Sequence, residues 1–93
     1  SPKEVDDVFT KHPKISKVIT FSVKHPKLGE DIALAVVLKK NVICKPNELK
    51  EYAKNKLANF KIPRNILFVK EIPIGATGKI QRIGLAKKLG IEK

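Results

Sequence analysis

The stretch Ile32-Ala33-Leu34-Ala35-Val36-Val37-Leu38 is continuously apolar. A short uninterrupted run of this kind predicts a central strand that is buried on both faces. Residues 15–24 come before it, and apolar side chains alternate with polar ones from Ile19 to Lys24, which is the period of a strand covered on one face. Residues 25–31 turn the chain back between the two runs. We therefore predict two neighbouring strands of one sheet.

The flanking segments predict three helices and one more strand. Ser1 reads as a helix cap followed by Pro2 in the first helical position, and Pro46 opens a second helix. Residues 65–72 read as a strand stopped by Pro73, and residues 81–89 read as a helix stopped by Gly90. The inward positions expected of the two later helices are Leu49, Tyr52, Ala53 and Leu57, then Ile83, Leu85, Ala86 and Leu89.

The element order αββαβα predicts the α+β class, a small three-stranded sheet flanked by helices. Ninety-three residues suffice for one domain with one modest core, so residues 1–93 are expected to form a single domain. The chain opens without an initiator methionine, which leads us to expect a fragment of a longer protein.

The charge balance favours anionic partners. Lysine and arginine total 20 against nine acidic residues, a net charge of +11, which attracts phosphates, nucleotides, nucleic acid or anionic membrane. Only Arg64 and Arg82 are arginine, the usual reader of guanine edges, which argues against sequence-specific DNA binding. No apolar targeting segment is present, and the single cysteine forms no internal disulfide. We expect an intracellular, cytoplasmic location without membrane insertion.

A lone lysine, Lys79, lies on a glycine-flanked turn after the last apolar run. Gly75 and Gly78 permit positive φ and close approach, so the turn is expected to project the ammonium towards an anion. The P-loop motif fails here because Pro73 and Ile80 occupy positions that need glycine and serine or threonine. The four residues 75–78 also match the GxxG loop of KH RNA-binding domains, although a strand is expected before this loop. A solvated lysine on an ordinary turn is the remaining alternative.

Other reactive side chains lack a supporting pattern. His12 and His25 each precede a proline in a loop with no Cys or carboxylate at ligand spacing, so we expect no metal site. Cys44 has no histidine-containing constellation that would make it a nucleophile.

Five motifs in order make the chain resemble the C-terminal domain of the adenylate-forming superfamily, which includes acyl-CoA synthetases. The resemblance covers nearly the whole chain. The motifs are similar to the family's "SPxEVE" at residues 1–6, "HPxVxxAxV" from His12, "GExxxAxVV" from Gly29, "YKxPxxxxFVxxxP" at residues 60–73 with Phe60 replacing tyrosine, and "TGKIxR" at residues 77–82.

The resemblance implies an ATP-dependent acid–thiol ligase, most like an acyl-CoA synthetase. By this resemblance Lys79 is the adenylation lysine, which contacts the carboxylate substrate and the phosphates of ATP. Thr77, Gly78 and Arg82 are implied nucleotide neighbours, although Arg82 could equally be a surface ion-pair partner. ATP with Mg²⁺, CoA and a carboxylic acid are the implied substrates, held mainly by an N-terminal adenylate-binding domain.

The resemblance also implies that the domain rotates about a hinge between adenylate-forming and thioester-forming orientations. Lys27, Gly29 and Glu30 lie in a loop near the implied CoA face, and Lys24 is a further phosphate candidate. The hinge and the N-terminal domain are expected upstream of Ser1, so the isolated domain is expected to be inactive. The alternative from another class is a small basic KH-like nucleic-acid-binding module.

Overall fold

The computed structural model describes all residues from Ser1 to Lys93 and has the predicted order αββαβα. Three helices and three strands make up the α+β fold, with a single 3-10 turn before the last strand. The elements are α1 (Pro2–Thr10), β1 (Ile15–His25), β2 (Gly29–Leu38), α2 (Pro46–Ala53), the 3-10 turn (Asn59–Lys61), β3 (Asn65–Phe68) and α3 (Leu85–Lys88).

The three strands form one mixed sheet in the order β1-β2-β3, so β2 is the central strand, as predicted. β1 and β2 pair antiparallel, and β2 and β3 pair parallel. The four central residues of β2, from Ala33 to Val36, have no exposed surface. The apolar run therefore corresponds to the strand that is buried on both faces of the sheet.

Alternate side chains of β2 enter two separate cores, because successive residues of a strand point to opposite faces. Leu34 and Val36 pack with Phe9 of α1 and Leu49 of α2. Ala33 and Ala35 pack on the other face in a second cluster, whose remaining members are Ile19, Phe21, Ile72, Leu85 and Ala86. The chain after β3 therefore crosses the sheet on the face opposite to α1 and α2.

The third strand is shorter than predicted. Pairing with β2 ends at Phe68, and one further hydrogen bond joins the Val69 N–H to the Val36 carbonyl at 2.9 Å. The apolar pattern continues to Ile72 because Ile72 packs in the second core rather than because it belongs to the sheet.

The last helix also begins later than predicted, at Leu85 rather than at residue 81. Gly84 has φ +78°, a left-handed conformation that interrupts a helix, so the residues before it lie outside α3. The prediction that Ile83 faces inward is wrong, since Ile83 is 92% exposed. The predicted stop at Gly90 is confirmed by its φ of +79°.

Replacing Leu34 by alanine is expected to lower the free energy of unfolding by about 2–5 kcal/mol, because the side chain is fully buried and leaves a cavity. Urea unfolding of the variant measures this loss. Ile83→Ala is the matched control, because an exposed substitution usually changes stability by no more than about 0.5 kcal/mol. Similar losses for the two variants would contradict the burial of Leu34 in the first core.

Candidate functional site

Residues 75–79 form a small closed turn. The Gly78 N–H donates to the Gly75 carbonyl at 2.9 Å, and the Gly75 N–H donates to the Lys79 carbonyl at 2.9 Å. Two bonds across five residues hold the turn in a hairpin-like shape, as the glycine spacing predicts. We call residues 73–81 the lysine loop.

The two glycines of the turn differ in what an added side chain would meet. Gly78 has φ +79°, which costs an L-residue with a Cβ roughly 1–2 kcal/mol. A Cβ on Gly75 would lie 3.1 Å from Cδ of Gln81 and 3.3 Å from the Lys79 carbonyl oxygen. The turn therefore combines a left-handed residue with a close approach of the chain to itself.

The side chain of Lys79 is exposed at this turn, and its ammonium makes no hydrogen bond or ion pair with any other residue of the chain. Thr77 and Gly78 beside it are also exposed. Every hydrogen bond made by residues 73–81 stays within the loop. The ammonium of Lys79 is therefore a free cation carried outside the core on an internally braced loop.

Arg82, three residues after Lys79, is bound to the body of the domain. Its Nη2 lies 2.7 Å from Oδ2 of Asp6 in α1, and its Nη1 donates to the Thr20 carbonyl of β1 at 3.0 Å. Oδ1 of Asp6 accepts the Thr20 N–H at 2.7 Å. Of the two roles that the sequence left open for Arg82, the structure shows the ion pair, and the nucleotide contact stays a prediction.

The turn between β1 and β2 carries the other candidate residues. Nδ1 of His25 accepts two backbone N–H groups of the turn, each at 3.1 Å, and Gly29 has φ +81°. Lys27, Gly29 and Glu30 are all exposed. His25 is five residues along β1 from the Arg82 anchor at Thr20, which is about 17 Å in a strand. The structure therefore places the tip of this turn away from the Arg82 anchor, although Glu30 and Arg82 line the same surface cavity.

A family model described as the AMP-binding enzyme C-terminal domain matches residues 4–79, from the first helix to Lys79 itself. The chain belongs to this family. The whole sheet, the first core and the closed turn of this AMP-binding enzyme C-terminal domain fall inside the matched residues, whereas Leu85 and Ala86 of the second core lie beyond them.

The curated relatives are named as CoA ligases. The chain is 38% identical over 87 residues to the mitochondrial medium-chain acyl-CoA ligase ACSF2 of Danio rerio, covering 94% of this chain and 14% of that protein. It is 41% identical over 87 residues to the oxalate–CoA ligase of Saccharomyces cerevisiae, covering 94% of this chain and 16% of that protein. The chain thus spans a small part of these relatives' length.

Solved structures show the same fold within larger enzymes. A Mycobacterium tuberculosis fatty acyl CoA synthetase matches with a TM-score of 0.84 and 30% identity, covering 97% of this chain and 18% of that one. The amide bond synthetase McbA from Marinactinospora thermotolerans matches with a TM-score of 0.85 and 26% identity, covering 94% and 18%. The chain has no helix of the length and apolarity that crossing a membrane requires. The cytoplasmic location stays a prediction.

Cys44 and His12 lie elsewhere in this AMP-binding enzyme C-terminal domain. Cys44 is 8% exposed, and burial raises the pKa of its thiol, which disfavours the reactive thiolate. Nδ1 of His12 accepts the Lys14 N–H at 3.1 Å, and its ring packs edge-on against Tyr52 with centroids 4.6 Å apart. His12 thus closes the connection between α1 and β1.

Acidification is expected to destabilise the fold through His12. Burial and then the charge of Lys14 lower the pKa of His12 below 6.5, so the unfolded imidazole takes up a proton at a pH where the folded one does not. Stability should therefore fall as the pH drops from about 6.5 towards the folded pKa. An NMR titration of the ring gives that pKa, and urea unfolding at each pH gives the stability.

His12→Asn is the control for this titration, because its side-chain oxygen can accept the same N–H without titrating. The variant should lose the His12 share of the pH dependence. An unchanged slope in the variant, or a folded pKa above 6.5, would contradict the prediction.

Proposed function

We propose that this AMP-binding enzyme C-terminal domain is the mobile lid of an ATP-dependent acid–thiol ligase of the acyl-CoA synthetase class. The observation that carries the proposal is the free ammonium of Lys79 on a closed loop outside the core. The names of the curated relatives support the reaction class. The lid is expected to complete the catalytic pocket of an N-terminal adenylate-binding domain.

Lys79 is proposed to act in the first half-reaction. A carboxylate oxygen of the acid attacks the α-phosphorus of ATP, the bond to pyrophosphate breaks, and an acyl-adenylate forms. Negative charge develops on the phosphate oxygens during this displacement, and a positioned cation stabilises it. Thr77 and Gly78 flank Lys79 on the exposed side of the turn and are proposed neighbours of the nucleotide, which enters with Mg²⁺.

The second half-reaction is proposed to use another orientation of the same domain. The CoA thiol attacks the acyl carbonyl and AMP leaves, a step that has no need of the Lys79 ammonium at phosphorus. The exposed turn with Lys27, Gly29 and Glu30 is the proposed CoA-facing loop. His25, where this loop begins, lies about 17 Å along β1 from Thr20, which binds Arg82. A rotation of the domain would therefore replace the lysine loop by the CoA-facing loop at the catalytic pocket.

The alternative, a KH-like nucleic-acid-binding module, is supported by the net charge of +11. The GxxG loop of a KH domain joins two helices. Here the corresponding loop lies between β3 and α3. Phe9 and Phe21 are buried, and Phe60 is the most exposed aromatic ring, at 79%, which leaves few rings for base stacking. The ligase lid is therefore the better supported function.

In the full-length enzyme, Lys79→Ala is expected to lower the rate of ATP–pyrophosphate exchange by about 10²–10³-fold, the usual cost of losing one transition-state donor. Thioester formation from preformed acyl-adenylate should change much less. Lys87→Ala removes an exposed lysine of α3 and serves as the matched control, expected to leave both half-reactions unchanged. Equal loss of both half-reactions in Lys79→Ala would contradict the role given to Lys79.

A further inference from the structure

The lysine loop makes no hydrogen bond to the rest of the domain, and the residues just beyond its two ends are held by the domain. Ile72 on one side is 7% exposed and packs in the second core. Arg82 on the other side is held by Asp6 and by the Thr20 carbonyl. Between these points every hydrogen bond is internal to the loop. The position of Lys79 therefore depends on how firmly the two ends are held.

Asp6 is the residue that makes the second attachment firm. Its side chain is 16% exposed, and one carboxylate oxygen pairs with Arg82 while the other accepts the Thr20 N–H. Charge-assisted hydrogen bonds of this length in a sheltered site are stronger than those between neutral groups. The neighbouring pair of Lys3 and Asp7 is 76% and 59% exposed, and exposed pairs contribute little.

We propose that Asp6 is a positioning residue for the adenylation step, acting on Lys79 through Arg82. This inference rests on the proposed function of Lys79. Asp6 touches no substrate in this proposal. Its carboxylate fixes the Arg82 side chain against β1, and Arg82 fixes the loop end from which Lys79 reaches the developing phosphate charge.

The number of residues between Lys79 and the nearest fixed residue sets the expected fall in the adenylation rate. When Arg82 is bound to Asp6 and Thr20, Lys79 is three residues from a fixed point, a reach of at most about 11 Å. Without it the next buried residue is Leu85, six residues away, a reach of at most about 21 Å. A doubled reach multiplies the accessible volume by up to about eight, and reaction rates follow such losses of orientation. We therefore expect about a tenfold fall in the adenylation rate.

Asp6→Asn is the test variant, because the amide oxygen can still accept the Thr20 N–H while the charge that holds Arg82 is lost. Asp7→Asn is the matched control on the exposed face of the same helix. In the full-length enzyme, ATP–pyrophosphate exchange should fall about tenfold in Asp6→Asn, with thioester formation from preformed acyl-adenylate near the wild-type rate. Asp7→Asn should leave both rates unchanged.

Hydrogen exchange read by mass spectrometry gives a measurement independent of activity. Peptides that cover residues 73–81 should exchange several-fold faster in Asp6→Asn. The loop end at Arg82 is then no longer fixed, so the hydrogen bonds of the Gly75 and Gly78 N–H groups should open more often. Peptides that cover residues 32–38 of β2 should exchange as in the wild type. Faster exchange in both regions would show general loosening of the fold and overturn a specific positioning role.

Arg82→Lys keeps the charge opposite Asp6 but replaces the two-pronged guanidinium by a single ammonium. It should show the same selective loss of adenylation at smaller size, and it tests the proposal if Asp6→Asn fails to fold. If Arg82 instead contacted the nucleotide directly, Arg82→Lys would lose far more activity than Asp6→Asn.

The two proposals fail in different ways. If Lys79→Ala keeps its adenylation rate, the proposed function is wrong, whatever Asp6→Asn does to loop exchange. If Lys79→Ala abolishes adenylation while Asp6→Asn leaves the rate and the loop exchange at wild-type values, the positioning role alone is overturned.

Discussion

Two-sided burial of β2 is the constraint on which the rest of this domain depends. Its central residues have no contact with water, so each face of the sheet needs a cover. Leu34 and Val36 meet the two long helices on one face. The small side chains of Ala33 and Ala35 let the irregular C-terminal segment approach closely on the other, through Ile72 and Leu85. The lysine loop is the part of this segment that lies between those two packed residues.

The outer edge of β1 is closed by side chains rather than by a further strand. The N–H and carbonyl of Thr20 bind Asp6 and Arg82, and the Lys24 N–H donates to Oε2 of Glu92 at 2.6 Å. A bare edge of this length invites pairing with another chain. The same contacts therefore cover an exposed edge and attach the C-terminal segment beside Lys79, so edge protection and loop attachment are one arrangement.

Exposure alone does not distinguish Lys79. The chain has 20 basic residues and five ion pairs, so most of its basic side chains are unpaired. What separates Lys79 from the other lysines is its backbone, since it alone follows a left-handed glycine in a turn closed by two hydrogen bonds. A closed turn that projects from the domain fixes the position of the ammonium more closely than the surface of a helix would.

The sequence by itself determined the element order, the central place of β2 and the glycine turn that carries Lys79. These features depend on local periodicity and on the freedom of glycine at positive φ, and both can be read from residues that are close together in the sequence. Only the tertiary structure decided the partner of Arg82 and the exposure of Ile83. Asp6 is far from Arg82 along the chain, and they meet because the segment after β3 crosses the sheet to the free edge of β1. Periodicity says which face of an element is apolar, but it does not say which distant carboxylate a cation will reach.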